Sequence, residues 1–264
     1  DMANIGIFWD NLADAATYAG GSWESALPAS NVGVRAYSDA ARSTDAVATS
    51  TRFTADHGSA KSARALALVA HNLSADAQVR WSRGTTSGGN DVYAGSWVDA
   101  WRFTPHTYNG TRHAFIWILD AATSARYDTI EIDDSTNADG YVQIGRLFLG
   151  SGFVPEVNAQ YGLQDGLRDL SGIDRSDSGA LWVTARRTLR TVSFLLPRLA
   201  LDDGDDIHEL QRVCGTSQEV LYVPEVSNTA ASQRYGFLGT MDDLSPLEYP
   251  HYRNRAAGFR LTES

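Results

Sequence analysis

The chain of 264 residues is long enough for two ordinary domains, because single cores stop growing at roughly 250–300 residues. Hydrophobic residues at 43% and charged residues at 20% match an ordinary globular protein and exclude a disordered one. A formal charge of −10 and a pI near 5.0 argue against a nucleic-acid partner, whose phosphates need a basic face.

Lys61 is the sole lysine, so the remaining cations are arginines, whose planar fork suits interfaces better than a hydrated ammonium. Cys214 is the sole cysteine, which leaves no disulfide framework and no thiolate metal cluster. The apolar stretch Ile5 to Trp9 is too short for a signal-peptide core or a membrane span. The expectation is synthesis in a reducing cytoplasm, with residues 1–30 as a separate N-terminal segment.

Gly, Asn, Asp, Ser and Thr interrupt the hydrophobic runs about every ten residues, the punctuation of short strands. Residues 31–37 and 48–53 read as half-exposed strands. Ala63–Ala70 and Ala77–Ser82 alternate at period two and read as neighbouring strands of a sandwich. Residues 84–91 are a loop, followed by a stretch carrying Tyr93, Trp97, Trp101 and Phe103. His113–Leu119 reads as a buried strand, and Tyr127–Asp133 and Tyr141–Leu149 as two strands joined by the turn 134–140. About seven such segments within 31–152 meet the count for a β-sandwich. Residues 153–180 read as a loop-rich linker. Beyond it, 181–184, 190–196, 219–223, 234–239 and 257–261 read as strands. Asp203–Val213 is the one helix: acids open it, Ile207, Leu210 and Val213 share a face, and Gly215 can stop it.

The chemistry-bearing patterns are sparse. The Gly-x-Ser-x-Gly elbow of a nucleophilic serine is missing, since Gly150-Ser-Gly152 has the wrong spacing. The six histidines include no i, i+2 or i, i+4 pair and no HExxH. Asp202-Asp-Gly-Asp-Asp206 begins like a calcium loop but has Val213 where a bidentate Glu would close it, so it reads as a turn and helix start. Asp133, Asp134 and Asp139 form a second acidic loop of the kind that hosts calcium in β-sandwiches. No catalytic residue, metal ligand or cofactor is assigned. Trp81, Trp117 and Trp182 lie inside predicted strands and read as core. Trp97 and Trp101 fit core or interface equally. With His106, which flanks a loop in the aromatic region, they are the candidate ligand-binding residues.

The run from Tyr127 to Gly150 carries Tyr127-Asp-Thr-Ile-Glu-Ile-Asp-Asp and then Asn137-Ala-Asp-Gly-Tyr-Val-Gln-Ile-Gly-Arg-Leu147. It resembles the closing strands of the galactose-binding-like (discoidin-like) jelly roll found in tail proteins of siphophages, and residues 31–81 fit the opening strands. Residues 181–264 are similar, more loosely, to the tail-tube-like domain of distal tail or baseplate proteins. The resemblance implies a mostly β protein: a jelly roll over 31–152 and a tube-like β-barrel or sandwich with one helix. It implies a ring-forming structural protein of the virion, joining the tail tube to the receptor-binding hub and assembled in the host bacterial cytoplasm. Its partners would be its own copies, neighbouring tail proteins and a host surface glycan, with no nucleic acid and no membrane insertion. A carbohydrate-binding module is the alternative, and a glycan hydrolase ranks third.

Overall fold

The computed structural model describes residues 4–103, 114–251 and 254–264. The chain is mostly β, as the punctuation predicts. Its first part contains β1 (Gly6–Trp9), β2 (Thr17–Ala19), β3 (Ala41–Arg42), β4 (Phe53–His71), β5 (Gln78–Gly84), β6 (Tyr93–Ala94), β7 (Val98–Asp99), β8 (Phe115–Asp133) and β9 (Gln143–Phe153). Then follow β10 (Gln164–Asp169), β11 (Gly172–Arg175), β12 (Leu181–Thr184), β13 (Thr188–Leu199), β14 (Val220–Val223), β15 (Phe237–Met241), β16 (Glu248–His251) and β17 (Asn254–Glu263). The α-helices are α1 (Ala48–Thr51), α2 (Leu201–Cys214) and α3 (Thr229–Tyr235).

The strands form a continuous antiparallel path in the order β10-β13-β17-β15-β14-β1-β9-β4-β8-β5-β6. Three clusters of side chains fill it. One, around Phe53, Leu66, Leu68, Trp81, Ile130 and Leu147, is the core of the first unit. Another, around Ile7, Phe194, Leu210, Phe237 and Phe259, is the core of the second. The third, around Phe8, Ala65, Ala67, Phe148 and Leu221, joins the two.

This third cluster adds a second covered face to the alternating strand read over 63–70. Leu66 and Leu68 face the first core while Ala65, Ala67 and Val69 face the joining cluster, so residues 65–69 of the strand are buried on both sides. Its alternation is of large and small side chains, because two layers pack at different distances from the sheet. The β9 motif Ile144-Gly-Arg-Leu147 has the same logic. A Cβ on Gly145 would lie 2.8 Å from the Cβ of Ala70, so the backbones approach as only glycine allows. The next residue, Arg146, is fully buried and bridges the units, with Nε and Nη2 donating to Glu219 Oε2 at 2.8 and 2.6 Å.

Several expected boundaries shift. The described part of the expected N-terminal segment is woven into the sheet: β1 pairs with β14 on one side and β9 on the other, and β2 pairs with β4. Residues 29–33 form a 3-10 turn rather than a strand, and 48–51 a helical turn held by the Thr51 hydroxyl, which donates to the Val47 carbonyl at 3.3 Å. The two strands expected over 113–133 are one, and the expected linker 153–180 carries β10 and β11. The second unit has α3 in addition to the anticipated helix, capped by Asn228, whose side chain accepts from the Ala231 amide at 3.1 Å. In α2 the buried face is Ile207, Leu210 and Cys214, with Val213 at its margin.

Candidate functional site

The two predicted ligand residues among those described, Trp97 and Trp101, have different surroundings. Trp101 packs against the first core and donates its indole N–H to the Leu73 carbonyl at 3.1 Å, with His71 edge-on at 5.3 Å. Those contacts make it a brace for the 71–73 loop. Trp97 is half-buried beside β7, and the Arg80 guanidinium lies 4.8 Å from its ring centre while bonding Glu131 at 2.6 Å. His106 lies outside the described residues. The acidic loop is self-satisfied: Asp134 is buried and accepts from the Ser74 amide at 2.9 Å, the Ser74 hydroxyl and Asn137 at 2.7 Å. Among the described residues no three His, Cys, Asp or Glu side chains converge as metal ligands, and no helix is long and apolar enough to cross a membrane.

The strongest buried polar cluster centres on Asp128. Its carboxylate accepts from Trp81 Nε1 at 2.7 Å, Arg83 Nε at 2.7 Å and His57 Nε2 at 2.8 Å. Arg83 is itself fully buried and also donates to the carbonyls of Ala63 and Lys61 at 2.9 and 3.1 Å. Burial alone raises the Asp128 carboxyl. The hydrogen bond from His57 and the charge and hydrogen bond of Arg83 outweigh it and hold the group below the usual carboxylate range. A carboxylate with its acceptor sites so filled, sealed from solvent, stitches β4, β5 and β8 together and has no free oxygen for acid–base work.

The feature that stands apart is a projecting arm. Strand β10 pairs with the first half of β13 from Gln164↔Ser193 to Asp169↔Thr188. The ladder is carried on by Ser171, whose hydroxyl accepts from the Arg186 amide at 2.9 Å. It ends in the hairpin β11–β12, registered from Gly172↔Thr184 to Arg175↔Leu181. The end turn is closed by Ser176 N–H donating to the Ala180 carbonyl at 3.0 Å, with Gly179 at φ +84°, a left-handed position that favours glycine.

Every residue of β10, β11 and β12 is exposed. Leu167 is 71%, Ile173 66%, Trp182 70% and Val183 56% exposed. This corrects the expectation that Trp182 is core. Ile173 and Val183 face each other across the hairpin, with Leu181 and Arg175 beside them on the same face. Trp182 and Asp174 form the opposite face. A lone two-stranded hairpin is marginal in water, and contiguous exposed apolar surface marks an interaction site.

At the root of the arm lies a cavity of about 910 Å³, lined by Val157, Tyr161, Leu163, Tyr222 and Tyr235 and by the acids Glu225 and Asp165. The Tyr222 phenol is pushed up by burial and by the charge of Asp165, so that ring stays neutral. Burial also raises the Asp165 carboxyl, against the opposing charge of Arg190. Sequence reading missed the site because alternation over 181–184 looks the same in a core strand and in an uncovered one. The available signal was four glycines within 162–179, more than a packed sheet needs.

No protein-family model and no curated protein sequence matches the chain. Solved structures of similar fold include the family 32 carbohydrate-binding module of C. perfringens NanJ in complex with galactose, at 13% identity, covering 56% of this chain and 99% of that one, TM-score 0.39. A chitosan-binding module from a chitosanase/glucanase of Paenibacillus sp. IK-5 shows 16% identity over 54% and 100% of the two chains, TM-score 0.36. The lectin binding domain of Lectinolysin, solved with Lewis b, shows 12% identity over 54% and 96%, TM-score 0.39. Each of these structures matches little more than half of this chain.

Proposed function

We propose that this chain is a non-enzymatic assembly protein that docks onto neighbouring subunits through the β10–β12 arm. The observation that carries this is the uncovered apolar surface of Leu167, Ile173, Trp182 and Val183 on a hairpin with no core of its own. Such side chains gain about 25 cal/mol per Å² when a partner covers them, and the arm offers its two faces for that purpose. The finer placement, in the tail tip or baseplate of a bacteriophage between tail tube and receptor-binding hub, rests on the resemblance of the motif over Tyr127–Gly150 and the looser one of residues 181–264.

Two measurements test the reading. Light scattering of the purified chain is expected to give an oligomer that Ile173→Ser/Trp182→Ser/Val183→Ser reduces, with circular dichroism unchanged. Immunogold labelling of candidate virions is expected at the tail tip. A triple variant that assembles as before removes the arm from the account, and unlabelled virions remove the phage placement.

The second reading makes the first unit a glycan-binding module, the role for which the similar structures above are named. Its specific support is Trp97, a half-buried ring beside the Arg80–Glu131 pair, an arrangement of aromatic surface and planar polar groups that suits a sugar. Binding on a glycan array that Trp97→Ala or His106→Ala abolishes is the expected result, and an array silent across host polysaccharides ends this reading.

A further inference from the structure

We propose that the cavity at the root of the arm binds a small organic cation, an ammonium group carried on a short apolar body. Its lining is separate from the exposed side chains of the arm, so the proposal does not depend on the assembly reading above. Size, aromatic lining and charge each point to it.

The cavity's volume of about 910 Å³ lies within the range of about 300–1,000 Å³ that small-molecule sites occupy. Three parts of the chain bring tyrosines to it: Tyr161 precedes β10, Tyr222 lies on β14 and Tyr235 ends α3. Tyr222 is held in place by stacking on Phe194, with ring centres 5.7 Å apart. Tyr161 is 93% exposed, so most of its ring is open to a ligand. The face of a phenol ring is electron-rich and attracts a cation placed over it within about 6 Å. Tyr235 already shows this, since the Arg234 guanidinium lies 5.3 Å from its ring centre.

Charge selects the ligand among apolar molecules. Asp165 and Glu225 line the cavity, and among the described residues its lining holds no Arg, Lys or His. Glu225 is oriented by Asn228, whose Nδ2 donates to Oε2 at 2.6 Å. Arg190, the base whose charge Asp165 feels, bonds Glu263 at 3.0 Å and is neutralised there. A neutral apolar ligand would strip water from the carboxylates and return nothing, and an anion would be repelled. An ammonium group gives the carboxylates a counter-charge while the tyrosines cover its methyl or methylene groups.

The test titrates the full-length chain with choline, followed by saturation-transfer NMR. In parallel it uses the uncharged tert-butyl analogue, in which carbon replaces the nitrogen and the shape is kept. Choline is expected to saturate a single site, roughly tenfold more tightly than the analogue. Asp165→Asn/Glu225→Gln and, separately, Tyr161→Ala are each expected to weaken choline at least about fivefold, with circular dichroism unchanged. Asp165 and Tyr161 are exposed, so their replacement spares the fold. The variant Ile173→Ser/Trp182→Ser/Val183→Ser, altered only in the hairpin, is expected to bind choline like the native chain even where it no longer assembles. Equal affinity for the analogue, no saturation by choline, or choline binding unchanged in the Asp165/Glu225 variant overturns the proposal. None of these outcomes touches the assembly reading, which light scattering of the serine variant decides.

Discussion

Arg146→Met removes the cation that clamps the two units. In the native chain its guanidinium bonds Glu219 at 2.6 and 2.8 Å, the Gly33 carbonyl at 2.6 Å and Asp14 at 2.5 Å. Asp14 is partly exposed and rehydrates. Glu219 is buried and, among the described residues, keeps the Tyr37 hydroxyl, 3.4 Å away. Breaking a buried pair by deleting one partner costs about 3–5 kcal/mol. At about 2–4 °C per kcal/mol for a chain approaching this size, the melting temperature falls by roughly 6–20 °C. Urea and thermal unfolding at pH 7, followed by circular dichroism and tryptophan fluorescence, measure it. The double variant Arg146→Met/Glu219→Leu is expected to recover most of the loss, because no charge remains stranded. A single-variant cost under about 1 kcal/mol, the value of a surface pair, refutes the clamp.

Asp128 and Glu263 supply a pH dependence. In each, burial raises the carboxyl, and hydrogen bonds and charge from His57 and Arg83, or from Arg190, outweigh it and lower the group overall. Lowered folded values mean that their stabilisation is complete above the unfolded carboxyl range of about 4 and is lost as pH falls below it. The urea midpoint is therefore expected to drop between about pH 4 and 2, and a flat profile there contradicts the assignment. Cys214 is expected to ignore a disulfide reagent at pH 8 in the native chain and to react at once in urea, followed by absorbance; fast native reaction contradicts its burial. Ala67→Leu is expected to cost about 1–3 kcal/mol by overpacking the joining cluster, measured by thermal melts, whereas a half-exposed β4 makes it neutral.

What was legible in the sequence is what local chemistry decides. The Tyr127–Gly150 motif gave two strands because its alternation, the Asn137-Ala-Asp-Gly turn and Gly145 all act within a few residues of themselves. The helix at 201–214 was legible from its acids, its apolar face and Gly215. Sequence cannot say what lies against a face. Ala65 and Ala67 read as the weak side of an alternating strand until the second unit is seen to cover them, and Trp182 read as core until nothing is seen to cover it. The region 31–51 misled for a different reason: Asn31 and Asp45 hold turns through side-chain bonds to Ala40 and to Val47, a competition that apolar spacing does not register.

The position of β1 has a consequence for biosynthesis. Its four residues precede both of their partners in the chain: they pair with Ser151–Phe153 and with Leu221–Val223, the second of which leaves the ribosome more than two hundred residues later. At about 5–20 residues per second that is a wait of roughly 10–45 s, of which only the last third has β9 available beside Ile7 and Phe8. A strand at the centre of the sheet therefore waits for a neighbour from each unit, and the nascent chain carries Ile7 and Phe8 incompletely covered until β14 has been made.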